Sequence, residues 1–113
     1  MPTLVHSSDI PRMPGGSLRF EGKEYNSGVS FFLISDAPRR PGPPLYKHPY
    51  SETWILRSGK ALFKAGDMEV EASTGDILVA EPNTPHKYRN ICDTNLELIC
   101  IHASPVMIQE NLE

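Results

Sequence analysis

The residues GPPLYKHPYSETWILRSG, at positions 42–59, decide the fold. A proline-rich loop leads into ETWILRS (52–58), where apolar and polar side chains alternate as they do in a half-buried β-strand. The residues SGK that follow are typical of a turn, and ALFKAG (61–66) fits the second strand of a hairpin. The segment therefore predicts a β-hairpin whose first strand begins at an acidic residue, Glu52.

Further short strands are predicted on both sides of this hairpin. Their alternation and the turn residues between them place them at 17–25, 29–35, 67–73, 77–81, 86–90 and 96–104. Eleven prolines and eight glycines interrupt the chain too often for long helices. Only the last residues, which follow a Ser-Pro pair, are expected to form at most one short helix. The pattern predicts an all-β sandwich or barrel.

The length of 113 residues allows one domain, because a second core would be too small to be stable. We expect an N-terminal arm or edge strand over 1–16, a barrel domain over 17–104 and a tail over 105–113. The open edge of the arm would gain from pairing with a second copy of the chain, so a homodimer is expected.

Net charge and cysteine content indicate which binding partners and which cellular compartment to expect. A net charge of −3 gives no basic field for phosphate backbones or anionic lipids, so we expect no nucleic-acid and no membrane partner. No apolar run is long enough to span a bilayer, and the first residues do not resemble a signal peptide. Cys92 and Cys100 alone do not make the disulfide framework of a small secreted domain. A cytoplasmic protein with reduced thiols is expected.

Four residues of ligand type stand out: Tyr46, His48, Glu52 and His86. His48 and Glu52 flank the start of one strand, and His86 follows a proline-rich turn at the start of another. Closing an antiparallel sheet into a barrel can bring such positions within a few ångströms of each other. Two imidazoles and one carboxylate that converge in this way leave open positions on a metal ion. The pattern predicts a metal site inside the barrel.

Two stretches resemble the motifs of the cupin family. Residues 42–59 resemble the first cupin motif, in which a glycine-led loop supplies two histidines one residue apart, then a glutamate and a closing glycine. Residues 75–90, GDILVAEPNTPHKYRN, resemble the second motif, with its proline-rich turn, single histidine and closing asparagine. The resemblance implies a small single-domain cupin of the type-2 group, a double-stranded β-helix or jelly-roll barrel. It also implies one divalent metal ion, either Fe, Mn, Ni or Zn.

Most motif positions of the family match. The matching residues are His48, Glu52, Gly59, His86 and Asn90. Tyr46 stands where the family has its first histidine, and it leaves three alternatives open. The site holds a metal through three protein ligands with Tyr46 nearby as a hydrogen-bond donor or acid–base group, or Tyr46 is itself a phenolate ligand, or the metal has been lost.

His102 and two arginines are further candidates around the cavity. His102 alternates with Leu98 and Cys100 along a predicted strand, so it either lines the cavity, as a substrate contact or a hydrogen-bond partner behind the ligands, or is only a polar strand-end residue. Arg39 and Arg40, in the proline-rich loop, either clamp a substrate carboxylate or are solvated loop charges.

The leading functional hypothesis is a metal-dependent enzyme that acts on a small organic substrate, with Tyr46, Glu52 and His102 as catalytic residues. A redox metal would favour dioxygenase-like chemistry, whereas a redox-silent metal would favour isomerase-like or lyase-like chemistry. The alternatives are a non-catalytic module that binds a small ligand or a metal, and a metal-free structural barrel.

Overall fold

The computed structural model describes residues 2–113. The strands within this range are β1 (Leu18–Phe20), β2 (Ser30–Asp36), β3 (Tyr46–Lys47), β4 (Glu52–Ser58), β5 (Lys60–Ala65), β6 (Met68–Ser73), β7 (Ile77–Ala80), β8 (His86–Asn90), β9 (Leu96–His102) and β10 (Glu110–Asn111). The helical segments of this range are single 3-10 turns at Ser7–Asp9 and Gly22–Tyr25. The all-β prediction is confirmed.

The strands form two five-stranded antiparallel sheets. The first sheet has the order β1-β2-β9-β4-β7 and the second the order β10-β3-β8-β5-β6. Between the sheets lies a core of large side chains, each at most 1% exposed: Trp54, Leu56, Phe63, Leu96 and Leu98. The two inner faces together enclose the barrel interior, as the jelly-roll expectation required.

Strands β4 and β9 are neighbours at the centre of the first sheet. Every second residue of β9, from Leu96 to His102, is buried, and β4 shows the same alternation from Glu52 to Leu56. Because side chains of a strand alternate between its faces, the odd-numbered positions of β9 point outward. This alternation points Glu52 and His102 into the barrel.

The predicted strand over residues 17–25 is only partly correct. β1 ends at Phe20, and a 3-10 turn follows at Gly22–Tyr25. A Cβ atom at Gly22 would lie 2.2 Å from the carbonyl oxygen of Val29, so only glycine allows the chain to turn back this closely. The Gly22 N–H donates to Ser30 Oγ at 2.9 Å, which ties the turn to β2.

The C-terminal tail, for which the sequence allows at most one short helix, contains a short strand. The segment after Ser104 runs extended, and its strand β10 pairs with the exposed edge of β3. The Leu112 N–H donates to the carbonyl oxygen of Leu45 at 2.8 Å. The short strand β3 leaves backbone groups unpaired on this side, and an extended tail satisfies them whereas a helix would not.

Two further observations concern the expectations about membranes and thiols. Within residues 2–113, no helix has the length and apolar character that crossing a membrane requires. Cys92 and Cys100 are both free thiols, Cys92 partly exposed and Cys100 buried.

Candidate metal centre

A completely buried carboxylate lies at the centre of the site. Glu52 is the first residue of β4, and its side chain is 0% exposed. Its Oε1 atom lies 2.9 Å from His48 Nε2 and 3.0 Å from His86 Nε2. A buried carboxylate is unfavourable unless cations or hydrogen-bond donors surround it, so its surroundings decide the chemistry.

The outer ring nitrogens of His48 and His86 have fixed partners. Nδ1 of His48 lies 2.7 Å from the carbonyl oxygen of Tyr50, and Nδ1 of His86 lies 2.6 Å from that of Thr84. A carbonyl oxygen only accepts, so each Nδ1 carries the proton and each Nε2 of a neutral ring presents a lone pair to Glu52. Lone pairs facing a carboxylate oxygen repel it unless a proton or a metal cation lies between them. Metal-binding histidines are held by this same arrangement.

His102 approaches the same carboxylate from β9. Its Nε2 lies 3.3 Å from Glu52 Oε1, and its Nδ1 lies 2.7 Å from the hydroxyl of Tyr50. That hydroxyl also accepts the Ile108 N–H and lies 3.2 Å from the Ile108 carbonyl oxygen. When the tyrosine O–H donates to this carbonyl, His102 donates through Nδ1 and its Nε2 faces Glu52 as a lone pair. A proton on Nε2 would instead be a buried donor without a partner.

Atoms without partners test whether the cluster suits a cation. Among the residues that the structure describes, the buried side-chain atoms lacking a hydrogen bond are Glu52 Oε2, His102 Nε2 and Trp54 Nε1. Two of these belong to the cluster, where buried polar atoms are expected to be satisfied. The ligand atoms of His48, Glu52 and His102 all lie within 4.8 Å of one another. A cation among them would satisfy both orphaned atoms, so these residues fit a metal ion.

Electrostatics keep Glu52 ionised and His102 neutral. Burial by itself would raise the pKa of Glu52, but in the metal-free protein hydrogen bonds from His48 and His86, with a proton between each Nε2 and the carboxylate, lower it to about 2. Burial lowers the pKa of His102 to about 4, because removing the ring from water penalises the imidazolium. At neutral pH the site therefore offers a carboxylate and a neutral imidazole, which are the forms that bind metal ions.

Tyr46 takes part through a hydrogen bond. Its hydroxyl donates to Glu52 Oε1 at 3.3 Å, and its ring packs edge-on against His86, its partner across β3 and β8. Burial, followed by the charge of Glu52, raises the pKa of Tyr46 well above its ordinary value. In this structure Tyr46 is therefore a hydrogen-bond donor to Glu52.

The fold brings together all four residues of ligand type that the sequence singled out. Tyr46, His48, Glu52 and His86 meet around one oxygen atom, and His102 joins them with its Nε2 3.3 Å from the same oxygen. The sequence signal for His102 was its place in the alternation of β9, which indicated an inward direction but not the residue opposite. The proline-rich loop does not bring its arginines here, because Arg39 pairs with Asp93 and Arg40 with Asp36.

A model of the cupin domain matches residues 32–102 of the chain. The chain belongs to the cupin family. An uncharacterized protein of Methanocaldococcus jannaschii is 32% identical to this cupin over 62 residues, which are 54% of the chain and 50% of that protein. The chain thus spans about half the length of that curated relative.

Solved structures with the same fold come from oxalate enzymes. The oxalate decarboxylase of Lactobacillus farciminis, as a formate complex, superposes with a TM-score of 0.82 and 20% identity, over 95% of this cupin and 35% of that chain. An oxalate oxidase superposes with a TM-score of 0.78 and 16% identity, over 96% of this cupin and 63% of that chain. The oxalate decarboxylase of Bacillus subtilis, studied for its Mn(II) centres, superposes with a TM-score of 0.78 and 19% identity, over 91% of this cupin and 29% of that chain. At these identities the likeness shows the fold.

Proposed function

We propose that this cupin is a metal-dependent enzyme that converts a small organic molecule at a centre held by His48, Glu52, His86 and His102. The observation that carries the proposal is the convergence of three histidine Nε2 atoms on one buried carboxylate oxygen, within 2.9 to 3.3 Å. Each ring is held from behind through Nδ1, which leaves Nε2 free to bind a metal.

The donor set indicates the class of metal. Imidazole nitrogens and a carboxylate suit Fe, Mn, Ni or Zn, whereas Ca and Mg prefer oxygen ligands throughout. The Mn(II) centres of the Bacillus subtilis oxalate decarboxylase, a protein of similar fold, support a metal of this kind. When bound, such an ion supplies either Lewis-acid polarisation of a substrate oxygen or one-electron chemistry.

The protein side chains supply position and protons. Glu52 offers the site its single negative charge, and the three rings are fixed before any ligand arrives. The Tyr46 hydroxyl keeps its proton at the edge of the cluster, where it can donate to a developing charge on a substrate. A pre-organised site of this kind does not have to rearrange during the reaction.

Metal content tests the centre. Protein purified without a histidine tag or chelator is analysed for bound metals and then reconstituted with Fe(II), Mn(II), Ni(II) and Zn(II). We expect about one ion per chain, which is lost in His86→Ala and retained in His6→Ala, a matched control at an exposed position. Wild-type protein that stays empty after reconstitution contradicts the proposal.

Turnover separates the enzyme from the second candidate, a non-catalytic binding module. The metal-loaded protein is screened for oxygen uptake and for conversion of small organic substrates. Conversion that disappears in His86→Ala supports the enzyme. Stoichiometric metal without conversion of any substrate favours the binding module.

A further inference from the structure

An apolar cavity of about 150 Å³ opens beside the cluster of candidate metal ligands around Glu52. It lies within the barrel, between the inner faces of the two sheets. Its walls come from β2, β9, β3, β8, the N-terminal arm and the C-terminal tail. The lining residues are Met13, Phe32, Ile34, Pro43, Tyr46, Tyr88, Cys100 and Gln109.

The cavity and the cluster share a wall. Tyr46 lines the cavity, and its hydroxyl donates to Glu52 Oε1 at 3.3 Å. The ring of Phe32, another lining residue, lies 5.5 Å from the ring of His102 between their centroids. Cys100 precedes His102 by two residues on the inward face of β9. The four candidate metal ligands do not themselves line the cavity, so a molecule in it would approach them through Tyr46 and Phe32.

Among residues 2–113, no charged side chain lines this cavity. The polar groups in its wall are the hydroxyls of Tyr46 and Tyr88, the thiol of Cys100 and the amide of Gln109. Arg40, in the proline-rich loop, lines a neighbouring cavity instead, where its guanidinium lies 3.6 Å from Asp36. A charged group placed deep in this cavity would lose its hydration without gaining a counter-charge.

On the basis of the proposed function, we propose that the substrate has an uncharged, apolar body of about one aromatic ring, with its polar group at the end that faces Tyr46 and the metal. The volume agrees, because an apolar protein cavity of about 150 Å³ is large enough to bind benzene. Aromatic and aliphatic walls with a single amide, Gln109, are typical of sites for such molecules. A small dianion such as oxalate does not suit these walls.

Phenol is the probe for the cavity, and oxalate is the charged comparison. Both are titrated into isotope-labelled protein at pH 7, once as purified and once after chelator treatment, with NMR shifts as the readout. We expect phenol to shift the signals of Phe32, Ile34 and Tyr88 in both samples, and to bind at least about tenfold more tightly than oxalate. Oxalate binding that equals or exceeds phenol binding in the metal-loaded protein overturns the proposal.

A cavity-filling variant gives the second readout. Met13→Trp enlarges a side chain at the rim of the cavity, in the exposed N-terminal arm where folding is not at risk. Met68→Trp, the control, makes the same change at an exposed residue of β6 that does not line the cavity. Phenol affinity should fall at least about fivefold in the first variant and stay unchanged in the second. Unchanged affinity in Met13→Trp, or phenol shifts outside the cavity, overturns the proposal. Metal content of the same samples tests the metal centre separately, so failure of one proposal is distinguishable from failure of the other.

A different observation concerns the outer face of the first sheet. Two rows of outward side chains cross all five strands, as the strand registers show. The first row is Leu18, Leu33, Ile99, Ile55 and Ile77, and the second is Phe20, Phe31, Ile101, Thr53 and Val79. Only Thr53 is polar, although the outward face of an antiparallel sheet is usually polar. Ile77 and Val79 are each 63% exposed.

We infer that this outer face binds a second copy of the chain. The two rows, with the polar row of Ser35, Glu97 and Ser58 beside them, cover roughly 450 Å² as a flat footprint. Two copies would bury about 1,000 Å² once side-chain relief is included, which is at the lower end of specific interfaces. The apolar rows carry no charge, so two identical faces can meet about a two-fold axis without repulsion.

The oligomeric state tests this interface. Wild-type protein should sediment as a dimer at concentrations of about 100 µM, and the double variant Ile77→Lys/Val79→Lys should be monomeric, because two buried cations per face prevent contact. Met68→Lys, at a residue 66% exposed on the other sheet, is the matched control and should stay dimeric. A monomeric wild type, or a double variant that still forms the dimer, contradicts the inference.

Discussion

Glu52 and His102 lie directly opposite each other on the neighbouring strands β4 and β9, with Glu52 Oε1 3.3 Å from His102 Nε2. Forty-nine residues separate them in sequence, yet the sheet register makes them adjacent. Because both side chains point into the barrel, the pair adds a third imidazole to a site where the first histidine of the family motif is replaced by Tyr46.

His102→Ala should therefore weaken metal binding about as much as His86→Ala does. Loss of one imidazole ligand is expected to lower the affinity by at least about 100-fold, since removing even outer hydrogen-bond partners of metal ligands costs 10- to 100-fold. Competition titration with a coloured chelator measures the affinity. If His102→Ala binds metal like the wild type, His102 is not a ligand.

Tyr50→Phe should affect the metal through His102. The hydroxyl of Tyr50 lies 2.7 Å from His102 Nδ1, and without it the ring loses the partner that keeps Nε2 directed at Glu52. We expect an affinity loss of about tenfold, with the fold retained. Tyr25→Phe, at the surface stack with Phe20, serves as the control and should show no loss. An unchanged metal affinity in Tyr50→Phe would show that Tyr50 does not position His102.

Tyr46→Phe distinguishes a hydrogen-bond donor from a phenolate ligand. The phenol form donates to Glu52, so the variant should keep its metal, with an affinity within about threefold of the wild type. Ferric protein should show no phenolate-to-iron absorption band in either form. A visible band in the wild type that disappears in Tyr46→Phe would establish the phenolate ligand instead.

Acid should destabilise the metal-free protein. The unfolded chain binds a proton on His102 below about pH 6.5, whereas burial lowers the pKa of the folded state to about 4. The unfolded state thus binds more protons between these values, and the free energy of unfolding falls by up to about 3 kcal/mol as the pH decreases through this window. Glu52 adds a further loss between about pH 4.5 and 2, because burial opposes ionisation but His48 and His86 lower its pKa to about 2.

Urea unfolding of chelator-treated protein at a series of pH values measures this dependence. His102→Gln removes the titrating ring, so the free energy of unfolding should change little between pH 6.5 and 4. The loss that Glu52 causes between pH 4.5 and 2 should remain. A wild-type free energy that stays constant from pH 7 to 4.5 would show that His102 does not titrate as its burial requires.

Local pattern was enough to predict most of the strands. Alternation in ETWILRS and in LELICIH, with turn residues between strands, indicated β4 and β9 to within about two residues. It failed at Gly22, where a close approach to the carbonyl of Val29 ends β1, and it did not indicate β10, the strand of the tail that pairs with β3. Both features lie where a distant segment supplies the hydrogen-bond partner, which no local pattern contains.

The amino-acid sequence by itself determined the all-β class, the shared strand face of Leu98, Cys100 and His102, and the motif resemblance that grouped His48, Glu52 and His86. Only the tertiary structure decided which of these atoms meet, because the register between β4 and β9 and the closure of the two sheets set distances across the barrel. The hydrogen-bond partners of the three rings were decided there as well. Their partners are backbone carbonyls and the Tyr50 hydroxyl, and only the folded chain places those groups behind each imidazole.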